Sequence, residues 1–401
     1  MRRRGRGARG EAGHALFVVM GALTLLSFIA STFLMTTAGE QTLASNSAAG
    51  AKALYLAEAG IERARKAINA GGADDIAQVL SPDRGGALGF GRDVRFGGGT
   101  YDVVVTNNTA ALGAVPADPG GANVDTDQIV VVTSTGRAGP ASRVVAAVLG
   151  RDPNLTLRFP AAITLPGVEA DSRFNGNSFI VCGRDTGPAQ TDCPPPAPAD
   201  HYAIVTRTAT VAAVTGAIST SQQNNFRGAG SEPSVYGDDA TLTSAGVTSF
   251  AAAVATAAPP ANRYTVGCSS RSFSSVTWGS ASAPGVYYLK GTCPGSSDFS
   301  FSGNTTGYGV LVVDSADLRI TGNFRWEGPI FVTGPLVGFG LLGGGSQAIY
   351  GAVVINETQG DGPGLREDVL SGNAKIYYSG GPIRAAMGAL NPFALVSWST
   401  P

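Results

Sequence analysis

The stretch Ala15–Met35, ALFVVMGALTLLSFIASTFLM, runs for 21 residues without a charged side chain. About 20 apolar residues in a helix cross the hydrocarbon of a bilayer. Ahead of it stand Arg2, Arg3, Arg4, Arg6 and Arg9 against one acid, Glu11, so residues 1–13 carry +4. That flank places the N-terminus on the cytoplasmic side. The continuation decides what kind of membrane segment this is. No Pro occurs from Thr36 to Ala70, and Leu54, Ala57, Ile61, Ala64 and Ile68 recur at spacings that make one helical stripe. Glu62 and Lys66 are placed for an i,i+4 ion pair, and Gly71-Gly72 is a stop signal. The pattern predicts one helix over 14–70, about 85 Å long, with a membrane-spanning half and an amphipathic half. A cleaved secretory signal would have a shorter apolar core ending in a small-residue site. A plain signal anchor fits the hydropathy alone.

Two blocks narrow the choice. Gly13-His14-Ala15-Leu16-Phe17-Val18-Val19 opens the apolar run, and Ala53-Leu54-Tyr55-Leu56-Ala57-Glu58-Ala59-Gly60-Ile61-Glu62 lies in the amphipathic half. Together they resemble the N-terminal region of type IV pilin-like proteins, specifically PilX-type minor pilins. The resemblance covers about 70 residues of 401. It implies that a prepilin peptidase cuts after Gly13, leaving His14 as the new N-terminus, with Gly10 a weaker alternative. It also implies packing against other pilin subunits through Leu16, Val18 and Leu23 and through Leu54, Ala57, Glu58, Ile61 and Glu62. The chain would sit in the inner membrane before assembly, and in a pilus or at the cell surface afterwards. Major pilins carry Glu at the fifth mature position. Val18 stands there in this chain, which suits a minor subunit. Type II secretion pseudopilins share the same N-terminal pattern.

Past the helix the sequence turns to strands. Residues 100–106, 128–134 and 142–149 are rich in β-branched residues, and Gly136 to Pro140 signals a turn between the last two. Residues 71–150 are expected to form a small antiparallel sheet on the amphipathic half of the helix. In 151–401, four blocks share a Gly followed by aliphatic or aromatic residues: Gly285-Val286-Tyr287-Tyr288-Leu289, Gly309-Val310-Leu311-Val312-Val313, Gly328-Pro329-Ile330-Phe331-Val332 and Gly351-Ala352-Val353-Val354-Ile355. A period near 20 residues with Gly at corners predicts a β-solenoid head of the parallel β-helix kind, the alternative being a β-sandwich. Residues 174–181 are expected to be the first coil, Ala374 to Tyr378 the last, and Thr243 to Ala258 a short helix. The fold class expected is thus α+β, mostly β.

Composition bears on function. Charged residues make up 14%, hydrophobic residues 43%, and 56 residues are Gly. A net charge of −1 offers no field for nucleic acid. Removing a segment of net +4 from this chain leaves a mildly acidic −5 for the exported part. Two His make His-based catalysis and metal binding poorly supported. The four cysteines, Cys182, Cys193, Cys268 and Cys293, all follow the membrane segment and suggest two disulfides in an oxidising compartment. Three pairings are possible, the most local being Cys182–Cys193 with Cys268–Cys293. Their spacing lacks the close pairs of a zinc site. Asp125-x-Asp127 begins like a calcium loop without the Gly and distal Glu that should follow. His201 reads as an exposed loop residue. The acids Asp314, Asp317, Asp361, Glu367 and Asp368 read as solvated corners, and Tyr287, Tyr308, Trp326 and Phe339 as aromatics able to stack on sugars or on the core. No catalytic motif, cofactor or metal site emerges. The expected role is a non-enzymatic minor pilin or pseudopilin. The alternatives are a membrane-anchored adhesin that stays out of filaments and a β-helix enzyme acting on polysaccharide.

Overall fold

The computed structural model describes residues 11–71, 80, 91–111, 115–122, 124–125, 127–155, 157–342, 344–360, 368–390 and 393–399. Residues 1–10 of the basic segment expected to be a leader, Gly72, and the acids Asp361 and Glu367 lie outside them.

Helix α1 spans Glu11–Gly71, 61 residues, or about 92 Å. Its first half is bare: Leu16 is 63% exposed, Leu23 58% and Val18 71%. The hydroxyls in that half do not need water. Ser27 Oγ donates to Leu23 O at 2.8 Å, and Ser31, Thr32, Thr36 and Thr37 likewise donate to the carbonyl one turn back. From Ala53 onward one face is covered. Ala53, Leu56, Ala57, Ile61, Ala64 and Ile68 are buried, whereas Leu54 is only half-buried, because the covered face is centred on Leu56 and Ala57 rather than on Leu54. The expected Glu62–Lys66 pair is replaced by Glu62 with Arg65 at 2.7 Å, one helical position nearer.

That face packs on an antiparallel sheet of β1 (Val94–Phe96), β2 (Gly99–Asn107), β3 (Ile129–Ala138) and β4 (Ala141–Arg151). Alternating side chains, among them Tyr101, Val103, Val130, Val132, Val145, Ala147 and Leu149, meet the helix. A fifth strand, Phe393–Ser399, pairs antiparallel with β4 from the far end of the chain. By its pairing this C-terminal strand belongs with the first sheet, so everything between β4 and it is an excursion out of that sheet.

The excursion is built of parallel strands. Gly285–Gly291, Asn304–Asp314, Asn323–Pro335 and Ser346–Gln359 pair successively. Gly285 lies beside Gly309, and Gly328 beside Gly351. Leu311, Ile330 and Val353 align down one side of these strands, as do Leu289, Val313, Val332 and Ile355. The opposite side, with Val310, Val312, Phe331 and Val354, is also buried. It is covered by helices among which α3 (Ser244–Ala257) and α4 (Gly380–Gly388) contribute Phe250, Val254 and Ile383; α2 (Val211–Ala217) precedes them in the chain. Burial on both faces explains the unbroken apolar runs of these strands. A second parallel sheet stacks Ser270–Ser274, Asp298–Ser302, Asp317–Ile320, Phe339–Leu341, Asp368–Ser371 and Ser172–Asn175.

The order of stacking is not the order of the chain. The strand Ala161–Leu165 lies between Tyr202–Thr206 and Ser346–Gln359. Ile180–Cys182 likewise pairs with Asn373–Tyr378. Of the segment over 174–181, Phe174 and Asn175 thus close one edge of the second parallel sheet beside Asp368–Ser371, while Ile180 and Val181 lie against Asn373–Tyr378 in the other. The chain climbs one way to Val235–Gly237, crosses by way of α3, restarts at Arg263–Val266 at the other end, and returns. Cys182 is bonded to Cys193 and Cys268 to Cys293.

Candidate functional site

The helix and its sheet meet too closely for ordinary side chains. A Cβ on Gly60 would lie 2.9 Å from Val103 Cγ2 and 3.0 Å from Tyr101 Cδ2. On the facing strand, a Cβ on Gly136 would lie 2.5 Å from Ala57 N. Ala57 and Gly60 of the Ala53–Glu62 block are thus the small residues that let β2 and β3 reach the helix backbone. Glu58 and Glu62 flank this seam, half-buried and exposed respectively. Ile61 is buried in it. Leu16, Val18 and Leu23 remain exposed. Gly13 and His14 lie within the helical backbone of α1.

The excursion's candidate chemistry dissolves into structure. Trp326, Tyr287 and Phe339 are buried, leaving only Tyr308 of the four aromatics half-exposed. Trp326 fills the space over Gly307 and donates its indole N–H to Gly309 O at 3.0 Å. Asp314, Asp317 and Asp368 are not solvated corners either. Asp314 accepts from Lys290 Nζ at 2.6 Å and from the Tyr288 hydroxyl, and these partners hold its carboxyl below the usual range despite its burial. Asp317 accepts from Gly338 N at 3.0 Å and Asp368 from Phe339 N at 3.1 Å, so each carboxylate secures the backbone of a neighbouring strand. Desolvation pushes Asp368 well above the ordinary carboxylate value, and Glu357, Asp171 and Asp317 add repulsion.

Asp125 and Asp127 are joined by Asp118, which spacing alone did not single out. The ligand atoms of the three lie within 4.8 Å of one another. Burial, a hydrogen bond shared with Asp127 and the charge of Asp127 push Asp125 up to about 6. Their oxygens also accept from the loop's own backbone: Asp118 from Gly120 N at 2.7 Å, Asp127 from Ile129 N at 3.0 Å. The cluster therefore ties the β2–β3 connection.

His201 is not a bare loop residue. Its ring lies against that of Tyr378, centroids 3.8 Å apart and planes tilted by 32°, and burial lowers its pKa. Both rings border a cavity of about 310 Å³ between the two parts of the molecule. Its walls come from the end of α1 (Asn69), the link after β4 (Leu157, Phe159) and α4 (Met387). The C-terminal strand is fastened there: Phe393 N donates to Asn69 Oδ1 at 2.9 Å.

No family model matches the chain, and no curated protein matches it. One solved structure is similar: the competence-associated pilin ComZ from Thermus thermophilus, at 14% identity over 88% of this chain and 97% of that one, with a TM-score of 0.22. A score this low carries no argument about fold or role.

Proposed function

We propose that this chain is a minor pilin or pseudopilin of the PilX type, assembling through α1 and displaying a rigid β-solenoid head. One observation carries the reading. A single helix is bare and apolar over its first half and clamped to a sheet through Ala57 and Gly60 over its second. Bare apolar surface of that size needs lipid or other helices, and a helix continuous with a folded domain can exchange one for the other without refolding. In this reading the prepilin peptidase cuts between Gly13 and His14. Leu16, Val18 and Leu23 then leave the inner membrane for a bundle of other pilin helices. Val18 in place of an acid leaves no carboxylate in lipid awaiting a partner. The parallel strands with Gly at matching registers support the solenoid reading of the head. Its role is presentation rather than catalysis, a reading supported by Trp326, Tyr287 and Phe339 being packed away and Asp314, Asp317 and Asp368 being engaged in hydrogen bonds.

The test is photo-crosslinking from an unnatural residue at Val18 or Leu23 in sheared surface filaments. Adducts with other pilin subunits are expected. Adducts confined to lipid, with the chain absent from the filaments, would favour the membrane-anchored adhesin instead.

A further inference from the structure

The cavity at the junction is lined by donors and apolar side chains and by no acid. Asn69 is 2% exposed, and its Oδ1 is occupied by Phe393 N. That bond fixes the amide's orientation and turns Nδ2 to a place where it has no acceptor among the described residues. A buried N–H without an acceptor is uncommon and asks for one. Two exposed guanidiniums, Arg158 and Arg384, border the same space. Neither has an ion pair among the described residues. Asp185, beside Gly380, spends one oxygen on Gly380 N at 2.9 Å. Leu157, Phe159 and Met387 supply an apolar wall. Ligand pockets of this size, about 300 Å³ and upward, combine such a wall with a few convergent polar groups and favour domain junctions.

We propose that this cavity binds a small amphiphilic carboxylate, of the class of medium-chain fatty-acid anions. The carboxylate would accept from Asn69 Nδ2 and from the forked donors of Arg158 and Arg384, a geometry that guanidinium groups suit. The tail would lie on Leu157, Phe159 and Met387. A bare inorganic anion would leave the apolar wall in contact with water, and a neutral alcohol would leave the amide and the arginines unanswered. Because the walls come from α1, from the link after β4 and from α4, the occupant would brace the head against the assembly helix.

The experiment uses the full chain in lipid nanodiscs, since detergent would compete for the site. Carboxyl-labelled octanoate and decanoate are titrated by equilibrium dialysis against empty nanodiscs. Saturable binding of one equivalent per chain is expected, unaffected by excess inorganic phosphate or octanol. The double variant Arg158→Gln, Arg384→Gln changes only exposed side chains, so the fold should persist, checked by an unchanged melting curve. It should weaken binding at least tenfold. Binding no greater than to empty discs, equal displacement by octanol or by phosphate, or full affinity in the folded double variant would overturn the proposal.

Discussion

At the scale of single residues, glycines mark where backbones touch. Gly60 sits in the middle of a helix, where Gly costs about 1 kcal/mol against Ala. The cost is repaid by contact of α1 with β2 and β3. Gly60→Val should lower stability by roughly 1–3 kcal/mol through overpacking against Val103 and Tyr101, read as a fall in the melting temperature of the purified chain. Gly309 and Gly328 answer to a different need. Both have φ near 130°, and a Cβ on Gly328 would lie 3.0 Å from the carbonyl carbon of Gly309, a conformation and a closeness that suit only Gly. Asp125 supplies a titration signature. A carboxyl raised from 3.8 to about 6 on folding binds its proton more tightly in the native state. Its contribution to stability is complete below 3.8 and is lost as pH rises through about 6. Asp125→Asn should therefore flatten the decline in melting temperature between pH 4 and pH 7 relative to the parent chain. An unchanged decline would remove Asp125 from the account.

At the scale of elements, the parts that local pattern controls were legible and the long-range pairings were not. The helix of 14–70 appears as Glu11–Gly71, and the helix over 243–258 as α3, with Thr243 Oγ1 accepting from Gly246 N at 3.1 Å as its cap. The spacings of Gly285, Gly309, Gly328 and Gly351 recur as strand registers, because a repeated Gly before an apolar run is visible in one dimension, although Gly309, Gly328 and Gly351 sit inside strands rather than at corners. That Ile163 lies between Ile204 and Val353 is not, since nothing in a spacing tells which strand stacks on which across nearly two hundred residues. Trp326, left open by the sequence between sugar stacking and the core, is a core residue, and the room it fills is made by Gly307 on the adjacent strand. The C-terminal strand was hidden in the same way. Deleting residues 393–401 should strip β4 of one of its two partner strands and free Asn69 Oδ1. Faster amide hydrogen exchange in β4, with exchange in the strands over 304–335 unchanged, is the expected outcome.

At the scale of the whole molecule, the near-neutral charge is an average over a basic N-terminal segment, an apolar stretch of helix and a mildly acidic remainder. Both ends of the folded part return to one place. The sheet that clamps α1 is completed by the last strand, so the head is carried as an excursion out of the sheet and not as a bead on a linker. Forces on the head would then reach the helix through two chain connections and through the junction around Asn69. This arrangement suits a subunit whose helix is embedded among others while its head is displayed. The proposed role stands or falls on the processing of the leader. Mass spectrometry of the N-terminal peptide, taken from the chain recovered in sheared surface material, measures that directly. The account predicts a peptide beginning at His14. Recovery of peptides beginning at Met1 or Arg2 as the only form would contradict it.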